Sequence, residues 1–502
     1  MNPILNVSGQ ARAYATKSSV LIALLATAAT ARAQEAGDLA PQNSTDIVVT
    51  AQRMEERIVD VPISVSAFTM EQLADQKIET GAELLRAIPN VNFSKDNFTG
   101  YNFAIRGIGT KATSVSADPA VAISFNSTTL LRNRLFEQEY FDIERLEVLR
   151  GPQGTLYGRN ATAGVVNMIP AKPRLGRFDG EAQGEVGNYG STRLRGMINV
   201  PLGDNFAIRG AGSWTKRKGF DYNTVTGKQV NGRDLWSTRL SALWEPSDNF
   251  RVSAIWEHFN EDDNRSRTGK QLCTRADNAS EFAYPEGYVA PPGQPQDSYQ
   301  LYEVWTVSTL TSGCQNKSLF TDESNGVPNG IANPLITGLM LSSVLPFGPF
   351  AAGRYVQPGI DPFVSDNGKQ SANLREIATV YDPVFRAKND VFQPNLEHDI
   401  GGSLHFFSQS LYMEDKYFGS QDFFRFDSAP SFSRKEAYTD SPFFTPFVTN
   451  GPFKGRWEMW LPYLGTSTER GGVFCDPQAG CHDHAVAIDV AESKSKQWSQ
   501  EF

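Results

Sequence analysis

After its first 33 residues the 502-residue chain has no apolar run approaching the roughly 18 residues that a membrane-spanning helix needs, and a mean hydropathy of −0.37 excludes a helical membrane bundle. Basic charge is scarce. With 47 Lys and Arg against 56 Asp and Glu the net charge is −9, so nothing here tracks a phosphate backbone and nucleic acid is excluded as a partner. Histidine is scarcer, five residues scattered at His258, His398, His405, His482 and His484. Cys481 to His484 reads CHDH, which could ligate a metal, but Cys475 lies close by in a polar loop segment and a disulfide beside two solvated histidines is the better reading. No metal is expected, and no Ser/His/Asp or paired-carboxylate arrangement recommends an enzyme. Nucleotide cradles are lacking too. Gly154 to Gly158 has the wrong gap for a P-loop, with Arg159-Asn160 in place of Lys-Ser/Thr. GIGTKA, Gly107 to Ala112, half-matches a dinucleotide fingerprint but leads to Pro119 rather than into a helix, so no cofactor is expected.

What the chain does hold is glycine and aromatics, Gly 42, Phe 32, Tyr 16 and Trp 8, in a length too great for one ordinary compact core. That combination favours a large closed barrel over several soluble domains. At the front, Arg12 and Lys17 precede an apolar stretch ending in the small residues Ala31 and Ala33, which reads as a secretory signal peptide over 1–33 rather than a short anchor. An exported chain can oxidise its four cysteines, and their placement in polar loops predicts two staples, Cys273 with Cys314 and Cys475 with Cys481.

Residues 34–45 form a polar lead, followed by DIVVTAQR, an isolated β-prone patch with no obvious local partner. It is either a first strand or an extended peptide offered to another protein's sheet edge. From Pro62 to about Arg174 the pattern is that of a small α/β unit, with strands in ISVSAF, FAIRGI, AVAISF and IERLEVLRG and one or two helices after the N-cap Thr69. After Arg177 the period becomes two. Phe206, Ile208 and Trp214 share one face of their segment while Arg209, Ser213 and Thr215 share the other; Phe250, Val252, Ala254 and Trp256 repeat this against Arg251, Ser253 and Glu257. A soluble sandwich alternates as well, but its turns are not systematically unequal. Here PLGDN and EPSDN are tight, whereas the stretches 217–234, 260–396 and 427–494 are long, the pattern of an outer-membrane barrel with its long loops outside the cell. Eight strands are expected, near 180–189, 191–201, 205–216, 234–245, 249–260, 396–407, 411–425 and from 495.

The segment VLRGPQGTLYGRNATAGVVNMI, Val148 to Ile169, is the most specific in the chain. With IERLE before it, LLRAIPNVNF and FAIRGIG upstream and DIVVTAQR at the front, it resembles the plug domain and TonB box of TonB-dependent outer-membrane receptors. The resemblance is sharp over Ile143 to Ile169 and only architectural in the barrel. It implies a transmembrane antiparallel β-barrel of about 22 strands with an N-terminal α/β plug in its lumen. It also implies outer-membrane lipid around the barrel, a TonB energy-coupling protein as partner, and an extracellular small-molecule or glycan ligand such as an iron chelate or cobalamin. The implied division is a periplasmic lead over 34–61, a plug over 62–174 and a barrel wall over 175–502. Asp46, Ile47, Val48, Val49 and Thr50 would be the TonB box; Arg106, Gly107, Arg150, Gly151, Pro152, Gly154, Tyr157, Gly158 and Arg159 would carry the plug motif. By the same resemblance Arg106 and Arg150 pair with wall carboxylates and keep the plug seated. Glycines in such a plug supply tight turns and close approach.

Two features depart from the family. Where members carry V-x-V-Y-V-D-G-V-Y, this chain has VAISFNSTTLLRNR, with Asn126-Ser127 for Asp-Gly, which puts ligand or lock contacts of that hairpin in question. Eight strands also close a barrel too narrow for a plug, so the chain is expected to be the N-terminal portion of a longer receptor, the alternative being a truncated non-transporting product or surface-binding module.

Overall fold

The computed structural model describes residues 47–51, 53–54, 56–95, 101–110, 117–132, 138–266, 269–275, 314–315, 317–327, 369–401, 404–422, 474–476, 480–482 and 488–502. The expected signal peptide and Asp46 lie outside them. The chain divides into two compact units, Met1–Pro62 and Ile63–Phe502. In the first, Val48–Val49 (β1) pairs antiparallel with Glu56–Arg57 (β2), and the Ile58 amide donates to the Ile47 carbonyl at 2.8 Å. The expected isolated peptide therefore has a local partner, a correction that follows from two β-prone residues meeting an extended Glu56–Arg57 across a short turn.

The second unit opens with Val65–Thr69 (β3) and a helix at Met70–Asp75, whose start is fixed by a capping box: the Thr69 hydroxyl accepts from the Gln72 amide and the Gln72 side chain accepts from the Thr69 amide at 3.0 Å. A 3-10 turn at Gly81–Arg86 uses Thr80 and Glu83 in the same way, the Thr80 amide donating to Glu83 at 2.8 Å. Val91–Lys95 (β4) and Tyr101–Ile105 (β5) form a hairpin, and Val121–Phe125 (β6) and Thr128–Leu130 (β7) another. Ile143–Arg150 (β8), the short helix Gly154–Tyr157 and Gly164–Pro170 (β9) complete a mixed five-stranded sheet in the order β3-β8-β9-β6-β7.

Then comes an antiparallel meander of eight long strands: Asp179–Gly187 (β10), Ser191–Pro201 (β11), Phe206–Arg217 (β12), and, after the small loop strands Asp221–Asn223 (β13) and Lys228–Val230 (β14), Arg233–Ser247 (β15) and Phe250–Asp263 (β16). Loop strands Thr274–Arg275 (β17), Cys314–Gln315 (β18) and Glu376–Ile377 (β19) precede Val384–Ile400 (β20) and Leu404–Asp422 (β21); Phe474–Asp476 (β22) and Gly480–His482 (β23) precede Ile488–Glu501 (β24). The sheet is an open run in the order β10-β11-β12-β15-β16-β20-β21-β24. The expected count of eight stands, but β20 begins at 384, not near 396, and β24 at 488, not near 495. Charged residues hid both starts: Arg386, Lys388, Glu492 and Lys494 interrupt the apolar alternation yet occupy outward positions at the long-loop end, where a strand stands in water.

The wall is polar inside and apolar outside. Leu240, Trp256, Phe392, Tyr412 and Trp498 lie directly opposite one another across five strands, and all are exposed. One residue away, Arg239, Glu257, Val391, Met413 and Gln497 form the adjacent row, and all are buried. Burying arginine and glutamate while exposing tryptophan is stable only where the outer medium is hydrocarbon. The inner face packs on the five-stranded sheet, with Ile255, Val391, Leu411 and Met413 of the wall sharing one hydrophobic core with Leu146, Val148, Val166 and Phe125. The architecture is a plug seated against a partial transmembrane β-barrel wall.

Candidate functional site: the plug, the wall and the cavity at their loop end

The glycine-rich segment turns a corner and closes a sheet. Gly158 sits at φ 72°, a conformation open to glycine, where the chain leaves the Gly154–Tyr157 helix. A Cβ on Gly164 would stand 2.3 Å from the Leu149 carbonyl oxygen and 2.6 Å from Ile105 Cδ1, so no side chain fits where β9 meets β8. Tyr157 is buried and its carbonyl accepts from the Thr129 hydroxyl at 2.7 Å; Arg159 reaches Asp118 at 2.6 Å in the open. Gly107 and Gly151 sit in the turns after β5 and β8, and the Arg106 guanidinium lies 3.9 Å from where a Gly151 Cβ would be, so these two parts of the motif are neighbours.

The expected role of Arg106 and Arg150 is corrected. Among the described residues neither pairs with a wall carboxylate, and the Arg150 Nε is buried without a partner. The charges are arranged the other way round: the wall supplies the guanidinium and the plug the carboxylate. Arg209 on β12 holds the Asp142 carboxylate through Nε at 2.9 Å and through Nη2. Arg239 on β15 donates to the Asp142 carbonyl at 2.7 Å and the Phe141 carbonyl at 3.2 Å, lies 4.6 Å from the Phe141 ring, and is held by Glu257 at 2.7 Å. Arg193 on β11 grips Glu79 at 2.6 Å and reaches Glu139 at 3.3 Å. The signal was present in the sequence as arginines on the polar stripe of the wall, but the stripe does not say what it faces.

A second, neutral contact involves the departed hairpin. Asn126 and Ser127 both have positive φ, 45° and 68°, the backbone of a two-residue hairpin turn that asparagine tolerates. Three glutamines from β20, β21 and β24 close on it. Gln393 accepts from Asn126 Nδ2 at 2.9 Å and donates to the Thr128 hydroxyl at 2.8 Å. Gln409 accepts from that hydroxyl at 2.9 Å and donates to the Asn126 carbonyl at 3.0 Å. Gln497 accepts from the Leu131 amide and donates to the Thr129 carbonyl, both at 2.8 Å. Behind the turn Asn167 accepts from the Ser127 amide at 3.0 Å and touches the buried Glu147 at 3.3 Å, itself held by Arg145 at 2.8 Å.

At the long-loop end a cavity of about 480 Å³ lies between the plug segment 79–83 and the strand tips. Guanidiniums line it. Arg233 and Arg265 share Glu261 at 3.1 and 3.4 Å, and Arg375 reaches Asp221 at 3.3 Å, whereas among the described residues Arg217 donates only to the Asn231 carbonyl and Lys270 to the carbonyls of Ser371 and Asn373. Phe220 is contacted by Arg217 at 5.0 Å and Arg375 at 4.6 Å. Burial pushes the Lys270 ammonium down and the Tyr140 phenol, whose hydroxyl has no partner, up. Loop strand β13 pairs with β14 and, in parallel, with β19, and Asp382 collects Asn223, Thr226 and Lys228 at 2.9, 2.7 and 3.0 Å, so the rim is tied into one piece.

The expected staples remain pairings to be tested. Cys273 is disulfide-bonded, no described cysteine is free, β17 pairs with β18 so that Arg275 faces Cys314, and Cys475 stands opposite Cys481 in register. Ile47 to Thr50, expected to form most of the TonB box, belong to the first unit. Among the described residues no cluster of metal-binding side chains occurs.

Residues 57–165 match the family model described as TonB-dependent Receptor Plug Domain. The chain is 26% identical over 202 residues to a pesticin receptor of Yersinia pestis, covering 40% of this chain and 29% of the relative. It is 27% identical over 268 residues to a vitamin B12 transporter of Photobacterium profundum, covering 52% and 39%. The crystal structure of the ferric yersiniabactin uptake receptor of Yersinia pestis superposes with a TM-score of 0.45 at 15% identity, over 71% of this chain and 42% of that one. The chain thus spans well under half the length of these relatives. Residues 57–165 are thus a plug domain of the TonB-dependent receptor type, and the chain is similar to TonB-dependent receptors of the bacterial outer membrane.

Proposed function

We propose that the chain is the plug and the adjoining wall of a receptor for energy-coupled uptake of a scarce nutrient, not an enzyme. The observation that carries this is the seating of the plug: a compact sheet held in the polar concavity of a lipid-facing wall by Arg193, Arg209 and Arg239. Such an element blocks a passage and must be displaced to open it. The ligand arrives at the loop end, where the lining of Arg217, Lys270 and Arg375 around Phe220 suits an acidic ligand, an iron chelate first among them. The periplasmic lead (34–61), plug (62–174) and wall (175 onward) keep their assigned roles, Cys273–Cys314 and Cys475–Cys481 staple the outer loops, and a TonB protein engages residues 46–50. In the hairpin of β1 and β2, β1 keeps one edge unpaired among the described strands, the edge to which a partner strand can add. Val48→Pro removes a backbone donor and sets φ, so uptake of radiolabelled ferric chelates and cyanocobalamin by cells producing the variant should fall to the level of cells lacking the coupling protein, with binding at the surface unchanged. Equal uptake by variant and parent would remove the coupling assignment.

A further inference from the structure

The plug is held on two flanks by different chemistry, and its sheet order separates them. Glu79 follows the helix that continues β3, and Glu139 and Asp142 lead into β8, the sheet neighbour of edge strand β3, whereas the hairpin gripped by the glutamines contains β7, the opposite edge. We infer that the 126–131 hairpin with Gln393, Gln409 and Gln497 is the fixed anchor of the plug, and that the flank of Glu79, Glu139 and Asp142 is its releasing edge. The inference rests on the uptake reading only for the purpose of the release; the difference in hold is a property of the molecule itself.

On the releasing flank the hold is largely ionic. A separated guanidinium and carboxylate each recover hydration once water enters, so opening that flank loses little beyond the packing. The anchor is different. Its three amides are nearly fully buried, each uses both its donor and its acceptor on the hairpin, and they come from three adjacent strands of one sheet, so no single contact can loosen alone. The hairpin is joined inward as well, through Asn167 to Glu147 and through Thr129 to Tyr157. Asn126 is matched to this wall: an aspartate there would set a carboxylate against Gln393 Oε1, and turning the amide to meet it would present Oε1 to the Thr128 hydroxyl, whose proton is already given to Gln409. The departure from Asp-Gly in this chain and the glutamine wall are therefore two halves of one device.

The test follows the opening of each flank by thiol exposure in outer-membrane vesicles, which requires no ligand. No described native cysteine is free, so Ile78→Cys, beside Glu79, and Leu130→Cys, in β7, each report one flank; both positions are buried and neither makes the polar contacts at issue. With a membrane-impermeant maleimide and rising urea, Ile78→Cys should label at lower urea than Leu130→Cys. One molar salt should shift the first further down and leave the second in place. Adding Asn126→Asp or Gln409→Ala should bring Leu130→Cys down to the urea at which Ile78→Cys labels, without moving Ile78→Cys. Simultaneous labelling of both sites in the parent, earlier labelling at Leu130, or an equal shift of both by the anchor variants would overturn the inference. A failure of nutrient uptake with the labelling order intact would instead count against the receptor reading.

Discussion

At the scale of single residues, Gly164 and Arg209 make the firmest predictions. Gly164→Ala drives a methyl into the Leu149 carbonyl at the β8–β9 junction, so the plug should lose about 3 kcal/mol, read as a lower urea midpoint and faster proteolysis of the plug in vesicles. Gly154→Ala, with open space around its Cβ position, is the control and should be silent. Arg209→Ala strands Asp142, whose side chain is only 9% exposed, and should lower the same midpoint by about 3–5 kcal/mol; removing Asp142 as well should recover most of it, because the penalty lies in the uncompensated charge. If the double variant is no better than the single, Asp142 has other support and the pair is not what seats that flank. Neither arginine singled out by the family motif does this work. Arg106 stands in the turn after β5 and Arg150 at the end of β8, and the seating arginines belong to the wall, where a two-residue period places them inward without naming a partner.

Among the elements, the strands were legible where chemistry repeats and obscure where the medium changes. β11, β12, β15 and β16 lie within three residues of the expected bounds because their alternation of apolar and polar side chains runs almost their whole length. β20 and β24 start earlier than expected since an outward residue there meets water, and Lys388 and Lys494 are then as suitable as Phe392 and Trp498. The Thr69 cap was readable, and Gln72 completes its box. The glutamine anchor was not readable: Gln393, Gln409 and Gln497 are spread over a hundred residues and meet only when three strands pair. The rim supplies a pH prediction. Hydrogen bonds from the Ser371 hydroxyl and the Asn373 amide hold the Glu376 carboxyl below its usual 4.5, so the ionised form steadies the 371–376 turn. Since the folded value is the lower one, that support is complete above the usual value and is lost as pH falls through the lowered one. Glu376→Gln should abolish the pH dependence of amide exchange in this turn and leave the neighbouring β20 unaffected.

For the whole molecule the decisive property is that its inside and outside are inverted relative to a soluble protein, and this property can be tested by depth. Along β15 the outward residues are Trp236, Thr238, Leu240, Ala242 and Trp244, an apolar stretch bounded at each end by tryptophan, with Leu240 at its centre. Nine residues of a tilted strand match the hydrocarbon thickness, and tryptophans at the limits sit where lipid gives way to head groups. A charge at the centre must enter hydrocarbon, while one at the limit can reach water. Leu240→Arg should therefore destabilise the assembled receptor by about 2–4 kcal/mol, and Trp244→Arg by about 0–1 kcal/mol beyond the loss of the ring's own packing. The measurement is the urea midpoint of the heat-modifiable species in lipid vesicles, with Leu240→Asn as a polar, uncharged comparison. A soluble sheet would give the opposite ranking, since an exposed leucine replaced by arginine gains hydration and loses nothing. Equal, small effects at 240 and 244 would mean that this face does not meet lipid, and the inward placement of Arg239 and Glu257 would then need another explanation.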